Sequence, residues 1–205
     1  MIRLFSIRGV LCGALIALAI TVTQAQTLDE ALEGLKTYKF GDSRLALGVV
    51  EEAAINARHD DATRDKLETA FVALLDGDAS IDAKRFACRQ LEAMGSAASV
   101  ETLAGLIGNP EIADYAIWAL VAIPDDAALK ALLTAANEGP QTQRVNVIHG
   151  LARRGAEGAV DGLVALTGST DQAIAQAATA ALGAIGGAGC APLMAALQEN
   201  SGKAD

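Results

Sequence analysis

Arg85-Phe86-Ala87-Cys88-Arg89-Gln90-Leu91-Glu92-Ala93-Met94-Gly95 is the first of four stretches that follow one pattern. Aligned on Leu91, it matches Asp114 through Leu120 to Pro124, Val145 through Leu151 to Gly155, and Gln176 through Leu182 to Gly186. The anchors Leu91, Leu120, Leu151 and Leu182 are separated by 29, 31 and 31 residues. Four residues after each anchor stands a helix breaker: Gly95, Pro124, Gly155 and Gly186. Four residues before each stands a small one, Ala87, Ala116, Val147 or Ala178, which lets a neighbouring helix approach closely.

The second half of each unit repeats as well. Five, eight and eleven residues past the breaker come Val100, Leu103 and Leu106, then Leu129, Leu132 and Ala135, then Val160, Leu163 and Leu166, then Ala191, Met194 and Leu197. Spacings of three keep such residues on one helical face. Each unit therefore reads as helix A, a short turn, helix B and a polar linker such as Gly108-Asn109-Pro110 or Gly168-Ser169-Thr170. One pair cannot bury its own apolar face, so neighbours must stack into a continuous core.

Composition agrees. Of 205 residues, 52% are hydrophobic but only 3% are aromatic, so Ala, Leu, Val and Ile supply the apolar content. Ala and Leu are strong helix formers, whereas strands draw on aromatic and β-branched residues. Four prolines interrupt the chain. An all-α protein is expected.

These motifs resemble the short HEAT-like repeat found in phycobilisome-lyase-type proteins and in large secreted bacterial proteins. The turn Ala181-Leu182-Gly183-Ala184-Ile185-Gly186 and the opening Asn109-Pro110-Glu111 carry the likeness. The resemblance implies an α-solenoid of stacked antiparallel helix pairs, a HEAT/armadillo-like superhelix. Its units fall at about 81–110, 111–140, 141–170 and 171–198, with a polar tail at 199–205. Solenoids of this kind serve many functions, so the likeness speaks for fold before function. A bilin-lyase role, suggested by the family's name, conflicts with the export signal described next.

Residues 1–25 read as a secretory signal peptide. Arg3 and Arg8 form the positive start, and Val10 to Val22 is an apolar run of 13 residues, too short to span a bilayer. Thr23-Gln24-Ala25 is the expected cleavage site. Bulky Leu11 before Cys12 argues against a lipoprotein signal. Cleavage leaves 14 basic and 25 acidic residues, a net charge of −11, on a periplasmic or secreted protein without a stable membrane span. Cys88 and Cys190 remain, about three units apart, beyond the reach of a disulfide. Two separate thiols are expected, Cys88 as a buried apolar residue.

Residues 26–80 are helical but irregular and are read as an N-terminal cap whose charged helices face water. Thr27-Leu28-Asp29-Glu30 is a capping box, a second helix follows Gly41-Asp42-Ser43, and a third carries Leu67, Phe71 and Leu74.

No constellation for catalysis is legible. His59 and His149 are 90 residues apart, and neither sits in a ligand cluster. The HEAT-repeat hydroxylases hold iron with paired His-Glu motifs, but here His59 precedes Asp60 and His149 precedes Gly150. Gly186-Gly187-Ala188-Gly189 lacks the preceding strand and following Lys of a phosphate loop. The acidic balance and the shortage of aromatics argue against nucleic acid. The acids are scattered, as at Glu51-Glu52, Asp60-Asp61 and Asp125-Asp126, and most read as solvated turns or N-caps.

The expectation is a non-catalytic scaffold for protein–protein interaction, with no cofactor and no metal. The alternative is an accessory module of a secreted enzyme or multidomain protein. Arg89, Trp118, His149 and Ala180 stand two residues before the anchors, on the outer side of helix A, and the first three form the candidate partner surface. Leu193, Met194 and Leu197 form a candidate exposed end face, through which the chain could self-associate or meet a further domain.

Overall fold

The computed structural model describes residues 26–201; the signal peptide expected at 1–25, with Cys12, and residues 202–205 lie outside it. The described residues hold eleven α-helices and no strand. In chain order they are α1 (Leu28–Leu35), α2 (Leu45–Asn56), α3 (Asp61–Asp76), α4 (Ile81–Met94), α5 (Val100–Gly105), α6 (Ala113–Ala122), α7 (Asp126–Glu138), α8 (Gln141–Arg154), α9 (Val160–Thr167), α10 (Gln172–Ile185) and α11 (Gly187–Ser201).

Helix starts follow local chemistry. Thr27 and Glu30 form the full capping box of α1. Asp60, Ser80, Asp125 and Asp171 cap α3, α4, α7 and α10 through their side-chain oxygens. The acidic pairs at 60–61 and 125–126 are thus helix starts. The Thr63 hydroxyl donates to Asp60 at 2.6 Å, and this side-chain bond, with the Thr63 backbone N–H, holds the Asp60 carboxyl below its usual range. After α8 the chain reverses at Gly155, whose φ of 63° suits glycine.

Two layers result. The A helices α4, α6, α8 and α10 stack side by side in that order. The B helices lie beside them, α3 on α4, α5 on α6, α7 on α8 and α9 on α10, so each A helix packs along the B helix before it. α3 therefore stands to α4 as α5 stands to α6. The all-α solenoid is the observed fold. Leu91, Leu120, Leu151 and Leu182 are completely buried, as are Ala87, Ala116, Val147 and Ala178. Each buried leucine contributes roughly 1.5–3 kcal/mol relative to an exposed one. Gly150, beside Leu151, lets α8 press on α6: a Cβ there would lie 2.7 Å from Val121 Cγ2.

The B-helix register holds in two units and shifts in two. Val100 and Leu103 are buried with Leu106 half-buried, and Val160, Leu163 and Leu166 are all buried. In both units a 3-10 turn, Ala97–Ser99 or Glu157–Ala159, separates breaker from helix. α7 starts without one, and its buried row is Ala128, Leu132 and Ala136, while Leu129 and Ala135 are half-buried. α11 starts directly after Gly186 and turns further. Gly189 faces inward against the Leu182 carbonyl, Leu193 packs on the core, and Ala191 and Met194 face water.

The N-terminal end differs from the charged cap expected of it. α2 carries apolar side chains all round, so it cannot bury them all. Leu47 and Val50 go inward, while Leu45 and Ile55 stay 74% and 60% exposed and Phe40, in the preceding loop, is 91% exposed.

Candidate interaction surface

Because the units repeat at nearly constant length and the A helices lie side by side, equivalent positions align across α4, α6 and α8. On α6, Tyr115 and Trp118 are three residues apart and share its outer face, both half-buried. From α8, the Arg153 guanidinium lies 4.6 Å from the Trp118 ring centre. From α4, Arg85 and Arg89 lie 5.8 and 5.9 Å from the Tyr115 ring centre, and Arg89 also reaches Phe86 at 5.9 Å. These are cation–π distances, and the shortest is the Arg153–Trp118 pair.

Trp118 and His149 meet at a depression of about 220 Å³ lined by Asp114, Ile117, Trp118, Asn146 and His149. Asn146 Nδ2 donates to Asp114 Oδ1 at 2.9 Å and ties α8 to α6 across it. Arg89 lies outside this depression, one helix away. Ala180 is exposed on α10 among Gln172, Gln176 and Thr179, which offer no charge. Trp118 is a half-buried member of the α6–α8 seam with an edge in the depression, not a freely exposed side chain.

The A-layer arginines divide by partner. Arg85 is held by Asp82 at 3.3 Å and by the Glu111 carbonyl. Arg144 donates to the Ala136 carbonyl at 2.7 Å, and Arg154 donates to the carbonyls of Leu120 and Asp125, both at 3.2 Å. Arg89 and Arg153 are exposed, and among the described residues only ring contacts are recorded for them.

Residues 68–145, from the middle of α3 into α8, match the family model for HEAT repeats. Over this stretch the chain carries HEAT-like repeats. No curated protein matches it.

In this HEAT-like array a second, larger hollow of about 680 Å³ lies where α2 and α3 meet the turns at Gly95-Ser96 and Pro124. Ile55, Met94, Glu51, Arg58, Arg64 and Asp65 are among its walls. Glu51 and Arg64 already face Arg44 at 3.5 Å and Asp61 at 2.8 Å. Beneath it, buried Glu68 accepts from the Ser96 N–H at 2.7 Å and from the Ser96 hydroxyl, pinning the turn that launches α5.

At the other end, Leu193 is half-buried against the core, a correction to its place in an exposed face. Met194 is 57% exposed, and the Leu197 side chain lies outside the described ones. Cys88 is buried and Cys190 exposed, both free thiols. His59 and His149 are exposed, and the described residues include no group of three or more His, Cys, Asp or Glu placed to hold a metal. Among the described residues, no helix is long and apolar enough to cross a membrane.

Sequence reading missed Arg153 and Tyr115. The signal was present: Arg153 follows His149 by four residues, and Tyr115 precedes Trp118 by three, the two helical neighbour spacings.

Proposed function

We propose that this HEAT-like protein is an exported, non-catalytic scaffold that binds another protein through its stacked helices. HEAT repeats commonly mediate protein–protein interaction. The observation that supports the reading here is the alignment of Arg89, Tyr115, Trp118, His149 and Arg153 across three consecutive A helices. Trp, Tyr and Arg are the side chains that most often dominate binding energy in protein interfaces. Export rests on Arg3, Arg8, the apolar run and Ala25 in the sequence. N-terminal sequencing of the protein recovered from the periplasm should begin near Gln26; protein beginning at Met1 in the cytoplasm would refute it.

One observation favours the accessory-module alternative. Residues 172–198 contain no Asp, Glu, Lys, Arg or His, and Met194 is exposed there. A solenoid face left to water needs polar side chains, and residues 172–198 have no charge to offer it. A further domain or a second copy covering α10 and α11 would explain it. Sedimentation should then show self-association that weakens in Met194→Glu, while a monomer at high concentration, indifferent to that change, would remove this alternative's support.

A further inference from the structure

We propose that the outer face of α4, α6 and α8 binds an acidic segment of the partner protein, its carboxylates on Arg89 and Arg153 and an apolar side chain in the depression beside Trp118. The proposal rests on the scaffold reading and names the partner's chemistry. Its first support is charge layering. The chain as a whole carries −9. Yet the A helices α4, α6, α8 and α10 hold six cations, Lys84, Arg85, Arg89, Arg144, Arg153 and Arg154, against three carboxylates, Asp82, Glu92 and Asp114. The B helices α5, α7 and α9 hold Lys130 alone against Glu101, Asp126, Glu138 and Asp161. From α4 to α10 the chain has thus gathered its positive charge on one layer, and complementary potentials select partners of the opposite sign.

The second support is availability. Every ion pair recorded among the described residues has both members between residues 29 and 85. Arg89 and Arg153 lie beyond that stretch and have no carboxylate of their own. Their planar guanidiniums lie over aromatic rings, which orients them without using their N–H donors. Of the carboxylates on this face, Asp82 is taken by Arg85 and the Phe40 N–H. Glu92 and Asp114, whose partner Asn146 is a neutral amide, are left to oppose an acidic guest, so its carboxylates belong on Arg89 and Arg153 and its apolar side chain beside Asp114.

The third support is the depression itself. Ile117 and Trp118 give it an apolar wall, Asp114, Asn146 and His149 a polar rim, and about 220 Å³ admits one aliphatic side chain. An acidic segment with an apolar residue between its carboxylates fits; a phosphate backbone, which needs many cations in a row, does not.

The chain contains a single tryptophan, so Trp118 emission reports on this face alone. The probe is a short peptide of alternating glutamate and leucine, with its lysine counterpart and a thymidine oligonucleotide as controls. The glutamate peptide should change Trp118 emission saturably, and less so as salt rises. Arg89→Glu, on the helix surface and checked by its melting curve, should weaken binding about tenfold, the loss of one charge-assisted contact. Asp161→Lys on α9 should change nothing. No response to the glutamate peptide, equal response to the lysine peptide, indifference to Arg89→Glu, or displacement by the oligonucleotide would each overturn the proposal. A native partner cross-linked to Asp161 of α9 and not to His149 would also overturn it while leaving the scaffold reading intact; no partner on either layer would end both.

Discussion

Glu68 is a carboxylate where composition would not place one, buried on α3 with both oxygens on Ser96, 28 residues away. Hydrogen bonds to a charged group are worth roughly 1.5–3 kcal/mol each, and removing the acceptor strands a donor. Glu68→Ala should therefore destabilise the fold by about 2–3 kcal/mol in urea denaturation, and Glu68→Gln by less; a change within ~0.5 kcal/mol for the alanine variant would show the contact idle. The two thiols separate as sharply. Burial pushes the Cys88 thiol up to about 12, with the Arg89 charge pulling weakly the other way. Its folded pKa lies above its ordinary value of 9.0, so this contribution is fully present below pH 9 and is lost as pH rises from there towards 12. Alkylation at neutral pH, mapped by mass spectrometry, should modify exposed Cys190 quickly and Cys88 only after unfolding. Equal rates would contradict the buried position. Cys88 was legible in the sequence because it falls inside the repeat. Glu68 was not, because no local spacing joins α3 to the turn at Ser96.

Among the elements, the A helices were the most legible and α11 the least. An anchor leucine with a small residue one turn before it and a breaker one turn after it states both the buried face and the helix end. The B helices depend on how the chain leaves the breaker, and sequence spacing does not encode that rotation. The 3-10 turns at 97–99 and 157–159 preserve it; the direct start at Gly187 does not. The consequence is measurable. Leu151→Ala should cost about 2–5 kcal/mol, because the site is sealed between α6 and α10. Met194→Ala, at what the repeat spacing makes an equally buried position, should cost less than about 0.5 kcal/mol because the side chain stands in water. Similar costs at the two positions would restore the unshifted register. α2 is the other misreading. Its charges suggested a polar cap, but its apolar residues lie on every side, and Leu45 and Ile55 are the ones left largely in water.

For the whole molecule, charge distribution carries the functional argument. Net charge argues against nucleic acid as a partner, but it averages over a molecule whose two layers differ in sign. That difference was available in the sequence once each charge was assigned to helix A or helix B. What joins Arg153 to Trp118 was not, since it depends on the lateral packing of α8 on α6. Taken together, these features make the A layer the proposed working face of an interaction scaffold. Site-specific photo-cross-linking in living cells probes this most directly, with a photoreactive residue replacing His149 on α8 or Asp161 on α9. If the A layer is the working face, position 149 should give a discrete protein adduct, lost in Arg89→Glu, and position 161 none. An adduct from position 161 alone, or none from either, would contradict it.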